Sequence, residues 1–127
     1  MTRYGYSTRY DPPAAVVPLE IQHPHGSAVV LLPALVDTGA DVTVLPVSLA
    51  AQLRLPSVGR AVVSGFDGLA RIVQICAAHV RCAGFTLIVE AAFYGREALA
   101  GRDLLNRLVV RLDGPGAVLD VRVRRRP

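Results

Sequence analysis

The chain has 127 residues, enough for one continuous core and too few for two. With 52% apolar and 19% charged residues, burial can offset the cost of ordering the backbone, which excludes an extended disordered chain. Every basic residue apart from the histidines is arginine, and Arg122, Arg124, Arg125 and Arg126 crowd the C-terminal end; without these four, ten arginines face ten acidic side chains, so the positive balance belongs to the tail and argues against a nucleic-acid partner.

Along the chain, the first ten residues carry Arg3, Arg9 and three tyrosines in place of the apolar stretch of a secretory signal, so a cytoplasmic address is expected. They run into Asp11-Pro12-Pro13, and residues 1–13 read as a polar, frayed arm. A domain over residues 14–121 follows, with 122–127 as an arginine-rich tail. Short apolar runs at 14–21, 28–36, 42–45, 60–64, 69–80 and 85–92 are broken by Gly, Pro, Asp and His, the rhythm of an all-β fold. The longest uninterrupted apolar stretch, 28–36, is far shorter than the roughly 20 residues a spanning helix needs, and no membrane partner is expected.

His23-Pro24-His25-Gly26-Ser27 has turn chemistry between two runs, so its histidines read as loop residues of a hairpin. Residues 47–54, entered through Pro46 and Ser48, and residues 102–108, entered through Gly101, read as short helices. Ser64-Gly65-Phe66-Asp67-Gly68-Leu69 is a second break, whose glycines permit the positive φ of a tight, protruding hairpin. Cys76, His79 and Cys82 have a spacing that suggests three metal ligands, but strand alternation sends Cys76 and His79 to opposite faces. Both thiols therefore read as buried, and neither metal nor other cofactor is expected. A last strand over 117–123 follows the turn Asp113-Gly114-Pro115-Gly116.

The segment with chemistry is Asp37-Thr38-Gly39-Ala40-Asp41, directly after the apolar run ending at Val36. Asp-x-Gly after a strand is also a common turn. Its context sets it apart: two apolar residues precede Asp37, and a second apolar-apolar-Gly element, Leu99-Ala100-Gly101, leads into Arg102-Asp103. The motif occurs once, with no internal repeat.

On these motifs the sequence resembles the retropepsin-like (retroviral-type) aspartic proteases, in particular their bacterial and retroelement relatives with one subunit per chain, over roughly residues 14–112. The resemblance implies an all-β acid-protease fold: a closed, barrel-like subunit with a flap hairpin and one or two short helices. It implies an aspartic endopeptidase that works as a homodimer on a peptide or protein substrate. Asp37 would be the catalytic carboxylate, Thr38 the hydroxyl that locks two loops across the dimer, and Gly39 the residue that permits close backbone approach. Two carboxylates about 3 Å apart cannot both ionise, so the pair would hold one proton and serve as base and acid together. Ala40 lacks a hydroxyl that would favour the charged form, which moves the expected activity optimum toward mildly acidic or near-neutral pH.

The same resemblance makes Asp41 and Arg102 an ion pair beside the site, with Gly101 and Asp103 as structural support. Val44 and Leu99 would line substrate pockets beside Ala40 and Asp41, while Gly65, Phe66, Asp67 and Gly68 would form the flap tip. The alternatives from other classes are a catalytically inactive, dimeric peptide-binding module of the same fold and a nucleic-acid adaptor acting through the arginine tail. Because viral subunits zip through apolar terminal strands, the arginine-bearing end leaves open whether 117–123 or another surface forms the dimer.

Overall fold

A closed ring of six strands organises the chain. In the computed structural model, which describes residues 1–65 and 67–124, β2 (Val16–Gln22) pairs with β3 (Val29–Val36), which pairs with β8 (Ala98–Ala100). From β8 the ring continues through β4 (Val44–Leu45), β7 (Phe85–Phe93) and β6 (Ala70–Cys82), and a β2–β6 pairing closes it. The fold is thus all-β and mostly strand, a closed six-stranded barrel of the acid-protease type. Phe66, at the expected flap tip, and residues 125–127 of the tail lie outside the described residues.

Period-two alternation builds the barrel. In β2, Val17, Leu19 and Ile21 point inward and are buried, and in β6 Cys76, Ala78, Val80 and Cys82 do the same. Each large aliphatic side chain so buried contributes about 1.5–3 kcal/mol relative to exposure. Cys76 and Cys82 are free thiols inside this core, and burial pushes Cys82 up to about 11, so it stays a neutral small hydrophobe. Pro18 and Pro33 face each other across β2 and β3, where β6 and β8 do not pair with those strands, so their missing N–H groups cost no ladder bond.

The β2–β3 connection is the hairpin expected at 23–27, closed by the Gly26 amide donating to the His23 carbonyl at 3.1 Å. β5 (Ser57–Ser64) pairs with β6 alone, so the 64–70 hairpin projects from one edge of the ring. The helices are shorter than their sequence signals: α1 spans Val47–Gln52 and α2 spans Arg102–Leu105. They bury Leu49, and Leu104 with Leu105, against the barrel.

One expectation is corrected at the N-terminal end. Residues 1–13 do not fray throughout: β1 (Thr2–Gly5) forms a three-stranded sheet with β10 (Val118–Arg122) and β9 (Val109–Asp113), in the order β1-β10-β9. Tyr4 and Tyr6 pack against the core there, apolar ring bodies in a segment whose polar composition hides them. Asp120, almost fully buried, joins the strands through Arg3 at 2.8 Å and Arg111 at 3.3 Å. The Arg3 hydrogen bond, with help from Arg111, holds its carboxyl below the usual carboxylate range. β10 is the middle strand, so both its edges are filled within the chain.

Candidate active site

Asp37 follows directly on β3 and opens a loop that re-enters the barrel at β4. β8, running parallel to β3 with Val36 opposite Ala100, supplies the seat: the Asp37 amide donates to the Ala100 carbonyl at 3.1 Å. The loop then turns tightly, with the Ala40 amide donating to the Asp37 carbonyl at 3.2 Å. Asp37 Oδ1 accepts from the Gly39 amide at 2.9 Å, so the carboxylate is oriented by its own loop. A Cβ at position 39 would lie 3.1 Å from that oxygen, close enough to press on the carboxylate. Asp37 is half-buried, while Thr38 and Gly39 are exposed and Ala40 is half-buried.

The second motif grips this loop from behind. The Arg102 amide donates to the Ala40 carbonyl at 2.9 Å, and its guanidinium donates to the Thr38 carbonyl at 2.7 Å. Here the sequence expectation is corrected, because among the described residues no ion pair joins Arg102 to Asp41. The fork instead meets the Thr38 carbonyl of the turn, and Asp41 is left exposed. Arg102 still holds the loop, by a different bond.

Gly101 allows that closeness. A Cβ there would overlap the Val42 carbonyl and the Thr43 amide, backbone atoms that cannot swing aside. Asp103 accepts from the Thr43 amide at 3.0 Å, the Thr43 hydroxyl at 2.7 Å and the Leu104 amide at 2.8 Å. Thr43 is fully buried, and the sequence reading passed over it as one member of an apolar run. The available signal was a hydroxyl at the inward position of Val42-Thr43-Val44-Leu45, since a polar group buried there requires a partner.

Val44 and Leu99 lie directly opposite each other across β4 and β8, both half-buried, next to Thr43 and Ala100, which hold the two ends of the Asp37 loop. In the hairpin, Ser64 pairs with Ala70 and the Gly68 amide donates to the Gly65 carbonyl at 3.0 Å. Gly68 has φ +73°, a conformation that favours glycine. Asp67 accepts from the Leu69 amide at 3.0 Å and pairs with Arg71 at 3.0 Å, and the Arg71 bond is the main cause that lowers its carboxyl pKa. Arg71 also sits 5.7 Å from the Tyr94 ring centroid, a cation–π distance that joins the hairpin to the end of β7.

Among the described residues no group of three or more His, Cys, Asp or Glu is arranged to hold a metal ion. No helix among them is long and apolar enough to cross a membrane. A search of curated proteins returns no match. Residues 17–105 match the family model described as Aspartyl protease, of the retropepsin-like clan, and since that span holds the barrel, the Asp37 loop and its α2 support, the chain belongs to this aspartyl protease family.

Proposed function

We propose that the chain is an aspartic endopeptidase that acts as a homodimer, each copy supplying one Asp37. The observation that carries this reading is a single oriented carboxylate on an exposed turn, pinned from behind by Ala100 and Arg102. Its catalytic partner is then the same residue of a second copy. In the paired site a water lies between the carboxylates. The ionised Asp37 takes a water proton as the oxygen attacks the scissile carbonyl carbon, and the protonated Asp37 gives its proton to the carbonyl oxygen. Collapse of the tetrahedral intermediate returns a proton to the leaving nitrogen and releases acid and amine.

Thr38, whose carbonyl is committed to Arg102 while its exposed side chain is free to face a partner, would lock the two loops by reciprocal hydroxyl bonds. Val44 and Leu99 would meet substrate side chains. The 64–70 hairpin would cover the peptide, with Gly65, Asp67 and Gly68 near its tip. Cleavage of an extended peptide by the wild type and by Asp37→Asn tests the reading. Loss of cleavage in Asp37→Asn is expected. Equal cleavage by both removes Asp37 from the chemistry, and cleavage by neither across the acidic to neutral range favours a non-catalytic peptide binder.

A further inference from the structure

The geometry points to Thr43 and Asp103 as positioning residues that set the orientation of the Asp37 loop, an inference that rests on the protease reading above. The loop has two ends. Its start is fixed by the Asp37 amide on Ala100 and by Arg102 on Thr38 and Ala40. Its end, where the chain enters β4, is fixed through Thr43, which bonds to Asp103 and to the Gly101 amide.

Thr43 has no access to solvent, and its hydroxyl serves two neighbours at once, donating to Asp103 Oδ1 and accepting from the Gly101 amide at 3.3 Å. Asp103 takes both the hydroxyl and the amide of Thr43, so the carboxylate clasps one residue through two oxygens. Gly101 is the next residue after Ala100, whose carbonyl holds the Asp37 amide. A shift at Thr43 therefore passes through Gly101 to the seat of the catalytic carboxylate. The site leaves little slack, because even a Cβ on Gly101 would overlap the Val42 carbonyl and the Thr43 amide. The pair touches no reacting atom and acts only through the backbone it holds.

The test compares two substitutions with opposite deletions. Thr43→Val removes the hydroxyl and keeps the volume, whereas Thr43→Ser keeps the hydroxyl and removes a methyl. In protein shown to be folded and of unchanged association state, Thr43→Val is expected to lower kcat about 100-fold while KM stays within about twofold. Thr43→Ser is expected to stay within about threefold of wild type in kcat, although it also loses packing. If Thr43→Val does not fold, Asp103→Asn, which keeps the size and places an amide where one carboxylate oxygen accepts, is expected to give the same kcat-selective loss.

A second readout does not depend on turnover: the carbon-13 resonance of the Asp37 carboxyl should move in Thr43→Val and stay in place in Thr43→Ser. The inference is overturned if Thr43→Val keeps wild-type kcat, if both variants lose activity only in step with their melting temperatures, or if the carboxyl resonance is the same in both. Wild type and Asp37→Asn in the same assay keep the two readings apart. Should neither cleave, the protease reading fails while the resonance still decides whether Thr43 orients Asp37.

Discussion

The Asp37 loop and the 64–70 hairpin are both short, glycine-bearing turns, yet they are held in opposite ways. The Asp37 loop is fixed by partners about sixty residues away: Thr38 by Arg102, Thr43 by Asp103, and Asp37 by Ala100. The hairpin tip is fixed by partners within a few residues, Asp67 to Leu69 and Arg71, and Gly65 to Gly68 and Leu69. A turn held by distant elements cannot shift unless the barrel opens, whereas one held by its own strands can swing as a unit. That division suits a protease, whose carboxylates need fixed geometry and whose cover must admit a chain.

The sharpest way to break the contrast is to attack the distant support. Gly101→Ala forces a Cβ into the Val42 backbone, and overpacking of this kind costs about 3 kcal/mol. A large fall in melting temperature is expected, with activity lost in whatever protein still folds. Arg102→Met comes next, deleting only the 2.7 Å bond to the Thr38 carbonyl. Turnover should fall about tenfold, matching a net value of roughly 1.5 kcal/mol for a bond with one charged partner, and Arg102→Lys should recover part of it. Retention of full activity by Arg102→Met would show that the loop does not need this clamp.

Outside both regions, Asp120 tests the terminal sheet. Its carboxyl is held below the usual range by Arg3 and then Arg111, so the stability it contributes is complete above the ordinary value of about 3.9 and fades as pH falls through its lower folded value. Asp120→Asn should lower the melting temperature at neutral pH and flatten its decline in acid, as thermal scans across pH would show. The smallest effect belongs to the hairpin. Asp67→Ala removes an exposed pair, so the melting temperature should hardly change, while KM rises a few-fold as the tip loses its local order. A KM equal to wild type would place no demand on the Asp67 turn.

How legible this was in the sequence depended on strand length and on where partners lie. β2, β3, β6 and β7 announce themselves because several alternating residues and a flanking turn agree. β8 has three residues and is buried on two of them, too short to show a period, although its Leu99-Ala100-Gly101 signature marked its role. From sequence β1 looks like a frayed arm because its inward contribution is a tyrosine among polar residues. At the site, motif context singles out Asp37, Gly39 and Gly101, and the fold puts Gly101 where a Cβ would meet backbone. The partner of Arg102 was not readable, since opposite charges in two motifs suggested Asp41 while the fold brought a carbonyl into reach. Thr43 offers one signal, a hydroxyl at an inward position, but its two partners cannot be read because they lie 58 and 60 residues away.

All of this assumes that half a site resides in each chain. Peptide cleavage measured over a dilution series, with sedimentation on the same samples, puts that assumption at risk. Specific activity should collapse as the dimer dissociates and track the dimer fraction. Undiminished cleavage by samples that sediment as a single subunit would contradict it.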